Sequence, residues 1–210
     1  MSPTSRRFLR YRRLSRLPLL VATCAALLAG CASPDTRYYS LSQDASTTAT
    51  PAALTLITPA QQPVWIEVAP VKVPEALNRT QVVVNDKGGL RVLDLDRWTA
   101  PLPDELRDAL SQQLQLALGA VDTYQQGLSD VQPVYRITTE VVRLDAALGQ
   151  PANATLAWTV RRLPDGKLVA GRTQAELGAP GDVKGVVAAY RQAVAAAAGE
   201  IAAGVRSIAP

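Results

Sequence analysis

The first residues that could take part in chemistry are a cysteine and the three residues before it, Leu28-Ala29-Gly30-Cys31. They end an apolar run, 17–28, which itself follows six arginines and no acid. This order is typical of a secretory signal peptide that closes on a lipobox. The run is also too short for a transmembrane anchor, which needs about 20 residues. We therefore predict a signal peptide over 1–30 and a mature chain that begins at a lipidated Cys31, carrying diacylglyceryl and N-acyl groups of the palmitate type.

Removal of the signal peptide changes the charge and thiol content of the chain. Of its 22 basic residues, six precede Cys31, whereas all 18 acids follow it, so the mature chain has a formal net charge of −2. The basic balance of the whole sequence therefore indicates no nucleic-acid partner. Cys24 leaves with the signal and Cys31 is acylated, so we expect no disulfide.

The chain contains no histidine. This excludes Ser-His-Asp and Cys-His catalytic sites and histidine-ligated metals. Asp94 and Asp96 lie two residues apart on a predicted strand and could form a carboxylate pair of a hydrolase. The alternative, which we favour, is a solvated face on which they pair with Arg91 or Arg97. We predict no enzyme activity, no metal site and no cofactor beyond the covalent lipid.

The elements that position these residues follow from periodicity. Alternating apolar residues predict strands, and Gly88-Gly89 and Pro164-Asp165-Gly166 predict hairpin turns. Apolar residues at helical spacing predict a helix after Pro101, ending at Gly119 or Gly127, and a longer one capped by Asp182. The predicted strands are 38–41, 64–73, 81–84, 90–95, 134–144, 155–163 and 168–177. This order predicts an α+β fold, an antiparallel sheet with two helices packed on one face.

About 180 mature residues suit one domain. We place a lipidated tether at 31–37 and a single periplasmic domain at 38–210. Residues 42–63 are rich in Ser, Thr, Ala and Pro and form a long variable loop in this interpretation. Its apolar patch, 54–57, fits an extra edge strand as well as a contact surface.

Several sequence blocks, taken in order, resemble the PqiC-like ABC-type transport auxiliary lipoproteins. After the lipobox these blocks are Tyr38-Tyr39-Ser40-Leu41, 66–74, 77–83, Arg97-Trp98 and Pro101-Leu102. Thr80 departs from the pattern, which leads us to expect a proline there. The resemblance implies a non-catalytic outer-membrane lipoprotein that docks the end of an MCE-type, periplasm-spanning assembly and assists lipid transport between membranes. Ala32 and Ser33 agree with an outer-membrane address, because the usual inner-membrane retention residue after the cysteine is aspartate.

A docking surface is expected where strands end. Trp and Arg dominate interface hot spots, and the resemblance concentrates its blocks in the same segments. We therefore predict that Arg79, Arg97, Trp98, Pro101 and Leu102 bind the MCE partner. The alternative is that Trp98 and Pro101 only fix a strand-to-helix corner, while Arg79 pairs with an acid.

Two further functions stay open from the sequence. One is a lipoprotein plug or assembly factor of an outer-membrane channel, and the other is the hydrolase based on Asp94 and Asp96. A ring-shaped MCE partner would also be compatible with a homo-oligomer.

Overall fold

The computed structural model describes residues 34–42 and 63–210, and Thr36 to Pro210 form one compact unit. The predicted signal peptide, Cys31 and nearly all of the 42–63 loop lie outside the described residues. The first strand begins at Arg37, the last residue assigned to the tether. The elements are β1 (Arg37–Tyr39), β2 (Val64–Val68), a 3₁₀ turn (Glu75–Leu77), β3 (Gln81–Asp86), β4 (Gly89–Trp98), α1 (Leu102–Leu118), β5 (Ala120–Asp122), β6 (Tyr135–Asp145), β7 (Ala152–Arg162), β8 (Leu168–Leu177) and α2 (Val183–Ser207).

The α+β class is confirmed, and the strands are divided between two sheets instead of one. A three-stranded sheet has the order β1-β4-β3, and a five-stranded sheet has the order β5-β2-β6-β7-β8. Both sheets are mixed, because β1 runs parallel to β4, and β2 runs parallel to both β5 and β6. Among the strands of residues 34–42 and 63–210, only the β3–β4 and β6–β7–β8 pairings are antiparallel. Parallel neighbours require long connections, whose pairing no local pattern reveals.

Both helices cover one face of the five-stranded sheet. Every second residue of β7 from Ala152 to Val160 is buried, and the intervening residues are more exposed. Helix α2 presents valines and small residues to this face, including Ala193, Ala197 and Gly204. A Cβ at Gly204 would approach the indole of Trp158 at 3.2 Å. The small residues therefore allow the helix to pack close to the sheet.

The helix ends follow the expected chemistry. The Asp182 carboxylate accepts a hydrogen bond from the Gly185 amide at 2.9 Å and caps α2, as predicted. Helix α1 ends at Leu118, followed by Gly119 in the left-handed conformation with φ of 60°. The chain after Gly119 enters β5, so the other expected helix end, Gly127, is wrong.

Two strand details differ from the prediction. Strand β2 ends at Val68, although the Ala69 amide still donates to the Ile137 carbonyl of β6 at 2.9 Å. The next bond to β6 comes from the Lys72 amide, which donates to the Thr139 carbonyl at 3.1 Å. The interruption contains Pro70, whose ring fixes φ at about −65°, away from the φ of a regular parallel strand. The β3–β4 turn is formed by Lys87 and Gly88, both with positive φ, and Gly89 already belongs to β4.

Candidate functional site

The two segments predicted to bind a partner meet at the corner between β4 and α1. The Trp98 amide donates to the Thr80 carbonyl at 2.7 Å, and the Leu102 amide donates to the Arg79 carbonyl at 3.2 Å. The latter bond satisfies one of the four N–H groups that a helix start leaves without an intrahelical partner. Pro101 occupies the N-cap and offers no side-chain cap. The Arg79 turn thus holds the start of α1.

Two of the five predicted binding residues belong to the core. Trp98 and Leu102 are 2% and 3% exposed. The Trp98 ring stacks on Tyr190 of α2, with centroids 6.4 Å apart and an interplanar angle of 26°. Burial raises the pKa of Tyr190 above its ordinary value. In this conformation Trp98 and Leu102 support the corner from inside, so they present no surface to a partner.

The other three predicted binding residues reach solvent. Arg79 and Pro101 are exposed. Arg97 is half-buried, and its Nε donates to the carbonyl of Asp94 at 3.2 Å. These three side chains form the solvent-accessible part of the predicted docking surface. That they bind a partner stays a prediction.

The most heavily hydrogen-bonded group at the corner is the buried carboxylate of Glu105, in the first turn of α1. Its Oε2 accepts hydrogen bonds from Ser40 Oγ at 2.9 Å and from the Leu41 amide at 2.8 Å. Its Oε1 accepts one from Thr99 Oγ1 and one from the Ala100 amide at 3.1 Å. Glu105 therefore ties the segment that follows β1 to the β4–α1 corner. The sequence indicated an acid in the first turn of a helix but not its partners, which lie up to 65 positions away.

A second group holds the same segment from α2. The Arg191 guanidinium donates to the Ser40 carbonyl through Nη2 at 2.6 Å and through Nε at 3.1 Å. Ser40 is thus bound on its side chain by one helix and on its backbone by the other. We call Arg37 to Leu41, with Asp96, Glu105 and Arg191, the N-terminal clamp.

Asp96 completes the clamp and corrects the expectation for the Asp94–Asp96 pair. Asp96 is buried, while Asp94 is exposed. Asp96 is bonded by Arg37 Nη2 at 2.8 Å and by the Tyr39 hydroxyl at 2.9 Å, rather than by Arg91 or Arg97. Burial, followed by the hydrogen bond to Asp96, raises the pKa of Tyr39 to about 12. The two carboxylates therefore occupy different environments, and Asp96 acts as a structural acceptor.

The strand irregularity explains why the two aspartates separate. Val82 of β3 is opposite Leu93 of β4, whereas Gln81 is opposite Arg97. The residues between them, 94–96, have no partners on β3. Such a bulge redirects side chains. It leaves Asp94 in solvent and Asp96 against β1.

A second buried carboxylate lies where α1 meets β2 and β5. Asp122 is fully buried and accepts from Arg107 Nη2 at 2.8 Å and from Ser111 Oγ at 2.6 Å. Its other oxygen accepts from the amides of Val68 and Tyr124 at 3.3 and 3.1 Å. Both oxygens of the Asp122 carboxylate therefore accept hydrogen bonds, as a buried charge requires. The ion pair fixes the helix to the sheet. No local sequence pattern indicates this pair, because Arg107 and Asp122 are 15 positions apart and lie in different elements.

The described residues show neither of two other kinds of site. Residues 34–42 and 63–210 bring together no group of three His, Cys, Asp or Glu side chains that could hold a metal ion. Over the same residues, no helix is both long and apolar enough to cross a membrane.

Comparison with known proteins identifies the family. The model of the family described as "ABC-type transport auxiliary lipoprotein component" matches residues 39–202. This chain belongs to that family. The PqiC-like resemblance drawn from the sequence blocks is therefore confirmed, and the family's description is that of an auxiliary rather than a catalytic component. The comparison with curated proteins finds no match.

Solved structures share the fold. A crystal structure described only as an uncharacterized protein superposes with a TM-score of 0.61 at 19% identity, covering 82% of this chain and 99% of its own. A Xanthomonas campestris protein of the DUF330 family has a TM-score of 0.53 at 20% identity, covering 70% of this chain and 88% of its own. At this level of identity the similarity supports the fold alone.

Proposed function

We propose that this ABC-type transport auxiliary lipoprotein is anchored through Cys31 in the outer membrane, faces the periplasm, and docks an MCE-type assembly that carries lipids between the two membranes. The observation that carries the proposal is the family match over 39–202, joined to the lipobox that precedes it. Ala32 and Ser33 favour the outer membrane as the address. The protein's part is to position the partner, and it performs no chemical step.

The N-terminal clamp fits an anchored docking module. Five residues, 32–36, separate Cys31 from Arg37, so the six steps along the chain span at most about 20 Å. Beyond them, Asp96, Glu105 and Arg191 hold the chain against two helices and a sheet. A domain fastened in this way stays close to its membrane, where it can meet the end of an assembly that crosses the periplasm.

The docking surface we propose is formed by the exposed side chains of Arg79 and Pro101, with Arg97 beside them. Arg79 contributes to the fold through its backbone carbonyl, so a change of its side chain leaves that bond in place. Its guanidinium is free to act as a hot-spot group for an acidic or carbonyl-rich partner surface.

Co-purification from detergent-solubilised membranes tests the proposal. Wild-type protein should retain an MCE-domain protein, and Arg79→Ala should retain several-fold less at an unchanged melting temperature. The matched control is Arg172→Ala, an exposed arginine on β8, which should bind like wild type. Recovery of a β-barrel in place of the MCE protein would favour the channel-plug function, and equal retention by both variants would place the docking surface elsewhere.

Membrane fractionation tests the anchor separately. Cys31→Ser removes the thiol that accepts the lipid, so we expect an uncleaved precursor or a domain released from the membrane. A cleaved Cys31→Ser product recovered in the outer membrane like wild type would contradict lipidation.

A further inference from the structure

The β3–β4 hairpin extends well past the strand that leads to the anchor. Strand β1 pairs only with the last residues of β4, with Arg37 opposite Asp96. The seven residues of β4 before that point, 89–95, continue beyond the start of β1 for about 20 Å at the usual rise per residue. The Asn85 amide donates to the Ala146 carbonyl at 2.8 Å and holds the hairpin up to that residue. Beyond it, residues 86–91 are all exposed, whereas Asp96 and Trp98 at the other end of β4 are buried. The hairpin tip, defined as residues 86–91, therefore projects from the domain.

The direction of projection is the direction from which the chain arrives. Because β1 is parallel to β4, the N-terminal end of β1 points the same way as the hairpin turn. From Cys31 to Arg37 the tether spans at most about 20 Å. Measured from the start of β1, the hairpin tip and the fully extended tether thus reach about the same distance towards the anchored side. This step rests on the lipidation of Cys31 in the proposed function.

The chemistry of the tip suits a phospholipid surface. Leu90, one residue from the end of the turn, is 57% exposed. Lys87 occupies the turn itself, and Arg91 follows Leu90. Asp86 is the one acid of the tip and pairs with Arg91 at 3.5 Å, which leaves a net positive charge at Lys87. A protruding apolar side chain next to cations is the pattern of segments that enter the boundary between headgroups and acyl chains.

We propose that the hairpin tip rests on the same bilayer that holds Cys31, with Leu90 among the headgroups and Lys87 facing the phosphates of anionic phospholipids. The lipid anchor alone fixes the domain's distance from the membrane. A second contact on one side of the domain also fixes its orientation, so that the Arg79 surface at the opposite end of the hairpin points away from the bilayer.

The test uses the full lipidated protein in vesicles of phosphatidylethanolamine with a minority of phosphatidylglycerol. The mature chain has no other free thiol, because Cys24 is removed and Cys31 is acylated. Leu90→Cys therefore accepts a single environment-sensitive fluorophore, and Asp104→Cys, an exposed position at the far end of the hairpin, carries the same fluorophore as the control. Quenchers attached to lipid chains near the headgroups should quench the label at 90 several-fold more than the label at 104. Equal quenching at the two positions would overturn the proposal.

A charge reversal tests the role of the anionic lipid. Lys87→Glu, combined with the label at 90, should weaken quenching in vesicles that contain phosphatidylglycerol and leave it unchanged in vesicles of phosphatidylethanolamine alone. Unchanged quenching in the vesicles that contain phosphatidylglycerol would refute the contact of Lys87 with anionic lipid. Flotation separates the two hypotheses: protein that does not float has no anchor and refutes lipidation, whereas protein that floats with an unquenched label refutes only the hairpin contact.

Discussion

Replacement of Glu105 by glutamine should weaken the N-terminal clamp more than any other single change of comparable size. The carboxylate accepts four hydrogen bonds, two on each oxygen, from Ser40, Leu41, Thr99 and Ala100. Glutamine keeps one acceptor oxygen but presents an N–H₂ group to the donors on the other side. One backbone amide, of Leu41 or Ala100, then faces another donor in a buried position.

The magnitude follows from these bonds. A hydrogen bond to a charged group contributes about 1.5–3 kcal/mol, and a buried polar group left without a partner costs about 1–3 kcal/mol. Loss of two such bonds, partly offset by movement of the hydroxyl donors, gives an expected decrease of about 3 kcal/mol in the free energy of unfolding. Asp104→Asn is the matched control, because Asp104 is an exposed acid in the same turn. Its interaction with the helix dipole contributes only about 0.3–1 kcal/mol.

Denaturant unfolding of the lipidated protein in detergent measures the stability, and hydrogen exchange follows the amides of residues 37–42. Glu105→Gln should lower the unfolding midpoint and speed exchange in this segment before the rest of the domain opens. The reasoning would be refuted if Glu105→Gln unfolded at the same denaturant concentration as Asp104→Asn and kept the segment protected.

Two further predictions concern packing and pH. Gly171→Ala should destabilise the domain by several kcal/mol, because a Cβ there would overlap the indole of Trp158 and overpacking of a dense core forces side chains and backbone to move. The control is Gly178→Ala, where a Cβ meets open space. Similar melting temperatures for the two variants would contradict this packing. Because Tyr39 has a folded-state pKa of about 12 against 10.0 ordinarily, its contribution to stability is complete below pH 10 and is lost as the pH rises through 12. Tyr39→Phe should therefore show a smaller loss of stability across that pH window, as measured by denaturant unfolding at each pH, and an equal loss in both proteins would exclude Tyr39 as a source of the alkaline sensitivity.

The sequence predicted what depends on local pattern. The cap Asp182 and the buried face of α2 follow from spacing and residue type within one or two turns. For the end of α1 the sequence left Gly119 and Gly127 open, and the structure shows Gly119. The division into two sheets does not, because the register of β2 against β5 and β6 is fixed by residues more than 50 positions apart. A strand as short as β5 also carries too few residues to show an alternation.

The structure brings the residues of the predicted site together, and that they bind a partner stays a prediction. The blocks that carry the resemblance, 38–41, 77–83, Arg97-Trp98 and Pro101-Leu102, converge on the N-terminal clamp and the corner beneath it. Trp98 and Leu102 owe their residue types to burial, and Tyr39 to its bond with Asp96. A sequence shows that such residues form a pattern, but it cannot show which side of the surface they occupy.

That convergence bears on how the protein would work if the proposed function holds. A docking module must transmit the pull of its partner to its anchor without unfolding, and the chain that follows Cys31 is the only covalent path between them. The clamp distributes such a pull over Asp96, Glu105 and Arg191, which belong to a strand and two helices. Because the accessible side chains of Arg79 and Pro101 lie at the start of α1, next to Glu105, a partner bound there would act on the same rigid corner that holds the anchor. Binding and anchoring would then share one mechanical unit, and the substitutions that separate them are those, such as Arg79→Ala, that remove a side chain and leave every bond of the clamp in place.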